Sequence, residues 1–351
     1  MIIREKQNPI ITKEQIKPTA ENLVVVGVFN CGAVKYRDEI ILLLRVAEAI
    51  ANQNSEVIQI PIADRKIKNG YSIKEIAKDY HKYDFNDSRF IYKLDGKRQI
   101  ENLTSISHFR LARSKDGVNF IVDQVPTIFP ETVYEEWGIE DPRITHLEGS
   151  YYITYTAVSK YGVCVGLIKT DDFIQFQRLG IIFSPENKDT VLFPEQINGK
   201  YYAYHRPVPT EIGYPDIWLS SSTDLLHWGE HEHILSVATN DWSQQRIGAG
   251  APPIKTKAGW LNIYHGADND GKYYLSSFLT SLDDPGRIIK IANKPLLTPT
   301  EDYERIGFYP NVVFTCGAIM ENDMIDIYYG AADDKIAKAS ISLDDLLSLH
   351  D

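Results

Sequence analysis

The chain has 351 residues, of which 43% are apolar and 24% are charged, a composition typical of a globular protein with a sizeable core. Its formal net charge of −11 argues against nucleic acid and anionic membranes as partners, because surfaces that bind phosphate backbones need positive charge. No uncharged apolar run approaches the roughly 18 residues of a membrane span. The N-terminal segment also lacks the apolar core and cleavage site of a signal peptide, so we expect a cytoplasmic protein.

The three cysteines, Cys31, Cys164 and Cys316, lie far apart in the sequence, and none belongs to a CxxC pair. We interpret them as small buried residues in a reducing compartment, not as disulfide partners or zinc ligands. We see no convincing cluster of metal ligands, so no metal site is predicted.

The first predicted element is NPIIT at 8–12, a short apolar strand with no neighbour to pair with. Five longer runs of β-forming residues follow, each after a short apolar segment and a polar turn. In chain order they are DEIILLLRVAE from Asp38, GSYYITYTAVS from Gly149, GKYYAYHRPV from Gly199, AGWLNIYHGAD from Ala258 and DMIDIYYGAAD from Asp323. These runs are interpreted as five copies of one strand.

Four of the copies are followed by a second strand and a polar turn, with aspartates Asp116, Asp172, Asp224 and Asp283 spaced 56, 52 and 59 residues apart. A third strand follows each turn. A repeat near 55 residues with about four short strands is typical of a propeller blade. The fifth repeat lacks its third strand, which the segment 8–12 would supply by closing the ring and removing free edges. We therefore predict an all-β fold, a single five-bladed β-propeller domain over residues 1–351.

A segment at about 55–102 interrupts the first repeat. Within it, Ile73, Ile76, Ala77 and Tyr80 have helical spacing. We predict a helix and a loop that cover one mouth of the ring, where substrate selection would occur. A surface excursion without a function is the alternative.

The innermost strands of a propeller converge on a central channel, and polar residues stand at comparable places in several repeats. They are Asn30, Arg45, Asp141, Arg206, Arg246, His265 and Asp333. The carboxylates and the asparagine are acceptors suited to sugar hydroxyls, to which Arg45 can donate. Arg206, Arg246 and His265 would together form an anion site, because guanidinium groups match phosphate. A carbohydrate bound next to a phosphate is therefore predicted.

Eight motifs follow one another along nearly the whole chain: FNCGAVKY, LLLRVAE, LTSISHFRLARSKDG, GIEDPRIT, PENKDTVLFPE, YHRPV, RIGAGAPPIKTKAGWLNIYHG and YYGAAD. Together they resemble glycoside hydrolase family 130, the β-mannoside phosphorylases, and most of all the branch that acts on β-1,2-linked mannose. The resemblance implies a five-bladed propeller that cleaves a β-mannoside with inorganic phosphate and inverts the anomeric centre. The products would be α-mannose 1-phosphate and a shortened acceptor, with phosphate as a co-substrate and no cofactor.

Carried over by motif, the resemblance makes Asp141 the general acid, acting through a hydroxyl of the mannose. The mannosyl unit would be held by Asn30, Arg45, Asp333 and His205. The phosphate ligands would be Arg206, Arg246, His265, Tyr273, Asn187 and Lys188. One acid and a basic pocket suffice because phosphate arrives as an anion, whereas an inverting hydrolase needs a second carboxylate to activate water.

Three positions depart from the family pattern: Ser88, Ser276 and Ser281 stand where relatives commonly carry proline, glycine and aspartate. These departures put the acceptor preference and the local strand geometry in doubt. The sequence also leaves open whether the chain forms a homo-oligomer.

Alternative functions remain. A phosphorylase could act on mannosylglucose or mannosyl-N-acetylglucosamine, and a β-mannoside hydrolase could use Glu195 as the acid with Asp141 as an auxiliary. Against the hydrolase, Asn30 stands where a third carboxylate is expected, and an amide cannot serve as nucleophile or base. A propeller that binds sugar without catalysis is the alternative of another class.

Overall fold

The computed structural model describes residues 1–68, 70–96, 99–237 and 242–350. Most of these residues lie in antiparallel β-sheets. The N-terminal segment forms two short strands, β1 (Ile3–Arg4) and β2 (Ile11–Thr12), and a 3₁₀ turn at Lys13–Gln15. Within the described ranges, no helix combines the length and the apolar character needed to cross a bilayer.

The first group of strands contains the predicted insertion. Its strands are β3 (Leu23–Tyr36), β4 (Glu39–Ile50), β5 (Val57–Ala63), β6 (Tyr71–Ala77), β7 (Tyr83–Asp84), β8 (Phe90–Lys93), β9 (Ile100–Leu103), β10 (Ile106–Ser114) and β11 (Ile121–Val122). The sheet itself is β3, β4, β10 and β11, paired in that order. The insertion adds a β5–β6 hairpin and a small β7–β8–β9 sheet.

The predicted helix in the insertion is wrong. Ile73, Ile76 and Ala77 lie in β6, which pairs antiparallel with β5. The β-branched isoleucines favour the extended backbone, in which Ile76 packs into an apolar cluster with Trp137 while Ile73 stays exposed. Residues 69, 97 and 98 of the predicted insertion lie outside the described residues.

The second and third groups follow a 3₁₀ turn at Val133–Glu135. They comprise β12 (Gly138–Leu147), β13 (Ser150–Ser159), β14 (Gly162–Thr170), β15 (Gln177–Phe183), β16 (Asn187–Leu192), β17 (Tyr201–Pro207), β18 (Ile217–Ser222) and β19 (Gly229–Leu235). Each group pairs its four strands in chain order. A parallel bridge between Ser107 and Gly138 joins the first sheet to the second.

The fourth and fifth groups complete the chain. Their elements are β20 (Arg246–Ala249), β21 (Ile254–Thr256), β22 (Gly259–Ala267), β23 (Tyr273–Thr280), β24 (Ile288–Ile291), α1 (Asp302–Arg305), β25 (Val313–Glu321), β26 (Met324–Ala331), β27 (Lys335–Ser342), α2 (Leu343–Leu347) and a 3₁₀ turn at Ser348–His350. The five predicted strand copies are confirmed as strands, namely β4, β13, β17, β22 and β26. Each is the second strand of its group.

The polar turns of the first three repeats share one structure. The Asp172 carboxylate accepts the main-chain N–H groups of Ile174 and Gln175 at 2.8 Å, and Asp116 and Asp224 do the same in their own turns. Such an Asx turn explains why an aspartate recurs at this place. The fourth turn differs, because its main-chain N–H at Gly286 is bound by the carboxylate of Asp284.

The predicted N-terminal segment pairs with the last sheet through β2, where Ile11 lies opposite Ile336. The additional strand β1, which was not predicted, pairs with the same strand, with Ile3 opposite Ser340. Arg4 on β1 donates two hydrogen bonds to the buried Glu304 carboxylate, at 2.7 and 3.0 Å.

Tyr329 also donates to Glu304, at 2.8 Å. The second group has the same trio, in which Tyr155 and the outer-strand Arg178 donate to the buried Glu135. Arg4 therefore binds Glu304 in the fifth group as the outer-strand Arg178 binds Glu135 in the second group.

Replacing Arg4 with alanine should lower the free energy of unfolding by about 3 kcal/mol, because the buried Glu304 carboxylate loses its cation. Arg178→Ala should cost a similar amount. Lys13→Ala, which removes a more exposed ion pair with Asp334, should cost less than about 1 kcal/mol. Urea unfolding measures all three variants, and equal losses for Arg4→Ala and Lys13→Ala would contradict the role given to β1.

Candidate active site

The first strand of several groups carries an interruption in its pairing. In the first three groups it lies between Phe29 and Gly32, between Glu140 and Arg143, and between Lys188 and Val191. One polar residue within each interruption has a positive φ, and these residues are Asn30 (50°), Asp141 (51°) and Asp189 (54°). Bulges that re-aim a side chain and strained backbone of this kind concentrate at functional sites.

Two of the residues predicted to bind the sugar, Asn30 and Arg45, meet at the predicted acid, Asp141. Asp141 is 4% exposed, and its Oδ1 accepts hydrogen bonds from Asn30 Nδ2 at 3.0 Å and Arg45 Nη1 at 2.9 Å. The other terminal nitrogen of Arg45 donates to Glu140 at 2.7 Å. Arg45 therefore bridges two neighbouring carboxylates from one side of the site.

Asp141 and Asp333 differ in pKa. Burial opposes ionisation of Asp141, yet the positive charges of Arg45, Lys188 and Arg143 hold its pKa below the usual value. Burial raises the pKa of Asp333 to about 6, against the attraction of Arg45 and with added repulsion from Asp141. In this arrangement Asp141 is ionised, and Asp333 holds a proton below about pH 6.

Asp189 organises the predicted anion site. Its carboxylate, 2% exposed, lies 3.0 Å from Arg143 Nη2, 2.7 Å from Arg206 Nε and 3.4 Å from His265 Nε2. Burial works against its ionisation, but the charges of Arg206, His265 and Arg143 keep its pKa well below normal. These groups are therefore held in place by one buried anion.

Sequence reasoning missed Asp189, although it singled out Asn187 and Lys188 in the same PENKD motif. A signal was available, because Asp189 stands in the first strand of its repeat as Asn30 and Asp141 do in theirs.

Arg143 joins the two halves of the site. Besides Asp189, it donates to the main-chain oxygens of Asp141 at 3.0 Å, Gly250 at 3.0 Å and Ala249 at 3.1 Å. The contact between Arg143 and Asp141 is therefore to the main chain and not to the carboxylate. A continuous polar network thus runs from the backbone at Asp141 to the cations around Asp189.

Tyr273, another predicted phosphate ligand, lies beside His265. The ring centre of His265 lies 4.3 Å from that of Phe314 and 5.9 Å from that of Tyr273. Burial raises the pKa of Tyr273, although the charges of Arg246 and Arg206 act in the opposite direction. Since Asp333 also acts on Tyr273, this tyrosine lies between the cationic group and the sugar group.

His205 lies in a different environment from the one predicted. Its Nδ1 is 2.9 Å from the Asn187 amide nitrogen, its Nε2 is 2.9 Å from Ser220 Oγ, and its ring stacks on Phe183. Burial, helped by His231, lowers the pKa of His205 to about 3, so the ring is neutral. Both ring nitrogens have protein partners, so the predicted contact with the mannosyl unit would require one of these bonds to break.

Asp189→Asn removes a buried charge shared by Arg143 and Arg206 and should lower the free energy of unfolding by about 3 kcal/mol at neutral pH. Because the folded pKa of Asp189 lies well below its unfolded value, the stabilisation is present above about pH 4. This stabilisation is lost as the pH falls through the pKa of Asp189 in the folded state. Urea unfolding measures the difference in the free energy of unfolding between wild type and variant, which should stay constant from about pH 8 to 5 and become smaller in stronger acid. A difference that widens on acidification would contradict this.

Comparisons with known proteins agree with the predicted resemblance. The sequence profile of glycoside hydrolase family 130, described as β-1,4-mannooligosaccharide phosphorylase, matches residues 88–351. A β-1,2-mannobiose phosphorylase of Listeria innocua is 42% identical over 346 residues, covering 99% of this chain and 97% of the relative. A 1,2-β-oligomannan phosphorylase of Thermoanaerobacter sp. is 42% identical over 246 residues, covering 69% of this chain and 80% of the relative.

Structural comparison gives the same answer. The solved structure of β-1,2-mannobiose phosphorylase from Listeria innocua, in complex with β-1,2-mannobiose, matches this structure with a TM-score of 0.96. The two chains are 41% identical, and the match covers 99% of each. The chain therefore belongs to glycoside hydrolase family 130.

Proposed function

We propose that this protein is a phosphorylase of β-1,2-linked mannosides. It would convert β-1,2-mannobiose or oligomannan and inorganic phosphate into α-mannose 1-phosphate and a shortened acceptor, with inversion. The observation that carries this proposal is the link through Arg143 between the acid cluster at Asp141 and the cations around Asp189. The relatives at 42% identity, which are named for β-1,2-mannobiose and 1,2-β-oligomannan, support the linkage.

The charges of the site suit a phosphate nucleophile. A phosphate oxygen would attack the anomeric carbon while the bond to the leaving oxygen breaks, and the proton from Asp141 would reach that oxygen through a mannose hydroxyl. Asp141 is ionised in this arrangement because of nearby cations, including Lys188 and Arg143. A bound phosphate would offset those cations and raise the pKa of Asp141, which prepares it to carry the proton.

The contacts of Glu195 give less support to a hydrolase than to a phosphorylase. An inverting hydrolase needs a second carboxylate, placed to activate water. Glu195, the alternative acid, is about half exposed and pairs with Lys255 at 2.5 Å. It is not among the partners of Asp141, Arg143 or Asp189. The buried network therefore favours phosphate over water as the nucleophile.

We further propose that the five strand groups form a single five-bladed β-propeller over residues 1–351, closed by the N-terminal strands. Contacts between the first strands of the groups support this: β3 contacts β12 and β25, and β16 contacts β12 and β20. The pairing of β1 and β2 with β27 supports the closure. The cytoplasmic location and the lack of a cofactor remain predictions from the sequence.

Incubation with β-1,2-mannobiose, with and without inorganic phosphate, tests the proposed reaction. Mannose 1-phosphate should form only when phosphate is present. Release of mannose without phosphate would indicate a hydrolase, and no turnover would indicate a sugar-binding protein. β-1,4-mannobiose and mannosylglucose serve as comparison substrates, and a preference for either would overturn the assigned linkage.

Two variants should separate the acid from the anion site. Asp141→Asn should lower kcat by about 100-fold or more, the usual contribution of a general acid. Arg246→Ala should mainly raise the KM for phosphate. Lys255→Ala, which removes the surface partner of Glu195, is the control and should change neither value. A normal kcat for Asp141→Asn would remove this residue from the role of acid.

A further inference from the structure

The insertion reaches the candidate site through Arg89, which lies between β7 and β8. Its Nε and Nη2 donate to the two carboxylate oxygens of Asp87 at 3.0 and 2.8 Å. Its guanidinium carbon lies 4.3 Å from the centre of the Tyr309 ring, in a chain segment more than 200 residues away. The turn is anchored to Thr104, whose N–H donates to Arg89 O at 3.1 Å and whose hydroxyl donates to Ser88 O at 2.6 Å.

Tyr309 stands at the border between the two halves of the site. Its main-chain N–H donates to Ala332 O at 3.0 Å, next to Asp333. Its side chain packs with that of Tyr273 against an apolar cluster that includes Phe314. The positive charge of Arg89 acts on Asp333. The Arg89–Tyr309 pair therefore belongs to the same region as the predicted sugar and phosphate ligands.

The chemistry of this pair suits a neutral sugar. The Asp87 carboxylate accepts hydrogen bonds from two nitrogens of Arg89 and offsets its charge. We therefore expect phosphate to bind the cations around Asp189 and not Arg89. The free N–H groups of Nη1 and the phenol of Tyr309 remain for hydroxyl groups. Arg89 is fixed before a sugar binds, because it pairs with Asp87, stacks on Tyr309 and lies in an anchored turn. This lowers the entropy cost of binding.

We propose that Arg89 and Tyr309 form the wall of the subsite for the acceptor sugar and determine which acceptor is used. The inference rests on the proposed function, because an acceptor exists only if the protein cleaves or forms a mannoside. The predicted ligands of the mannosyl unit and of phosphate lie on the strands of the five groups, apart from Asp333 in the turn between β26 and β27. The acceptor would thus be recognised by a segment that the insertion adds to the first repeat and by the loop before β25.

Synthesis from mannose 1-phosphate and mannose, together with phosphorolysis of β-1,2-mannobiose, tests this role in Arg89→Ala. The KM for the acceptor mannose should rise about tenfold or more, as expected when hydrogen bonds from a charged donor are lost. The KM for phosphate should stay within about twofold of the wild-type value. Arg89→Lys keeps the charge but loses the planar fork and should show the same pattern.

Arg37→Ala is the matched control, because Arg37 also lies over a tyrosine ring, that of Tyr36, but in an exposed turn. It should leave both KM values unchanged. Tyr309→Phe, which keeps the ring and removes only the hydroxyl, should raise the KM for the acceptor and leave that for phosphate unchanged.

The outcomes separate this inference from the proposed function. A raised KM for phosphate with an unchanged KM for the acceptor would assign Arg89 to the anion site and overturn the inference, as would unchanged values for both. A wild-type protein that forms no mannose 1-phosphate would overturn the proposed function instead. In that case, calorimetry measures the affinity of the wild type and of Arg89→Lys for mannose. Equal affinities would refute the role of Arg89 in the acceptor subsite.

Discussion

The ion network around Asp189 is the interaction on which the candidate site depends. Arg143 and Arg206 approach one another in a buried space beside His265, where the two guanidinium charges would repel one another without a shared anion. Arg143 also donates to a main-chain oxygen of its own strand, at Asp141, and to those of Ala249 and Gly250 in the fourth group, so the residue that binds Asp189 also links two strand groups. Structure and anion binding therefore rest on one carboxylate.

The site arises from the repeat itself. Asn30, Asp141 and Asp189 occupy bulges in the first strands of successive groups, each with a backbone conformation that is uncommon outside glycine. The same local geometry thus places the side-chain amide of Asn30 and the carboxylates of Asp141 and Asp189 in the candidate site. Their surroundings differ: Arg45 and Asn30 bind Asp141 on the proposed sugar side, and Arg143 and Arg206 bind Asp189 on the proposed anion side.

The sequence predicted what local patterns control and failed where tertiary contacts decide. Alternating β-forming runs and Asx turns are local, so the strand copies and three turn aspartates could be recognised. The helix around Ile76 failed because β-branched residues favour an extended backbone and Ile76 packs with Trp137, which is distant in the sequence. His205 was assigned to the sugar, but its partners Asn187 and Ser220 come from neighbouring strands. Residue type alone could not reveal them.

The coupling between the acid and the anion site can be measured directly. Sulfate stays a dianion near neutral pH, so calorimetric titration with sulfate in two buffers of different ionisation enthalpy reports protons taken up by the protein. At about pH 6, where Asp333 titrates, a bound dianion should raise the pKa values of Asp141 and Asp333. We expect a net uptake of protons, approaching one per site, that Arg246→Ala weakens. Sulfate binding without any proton uptake would show that the acid and the anion site do not share one cavity.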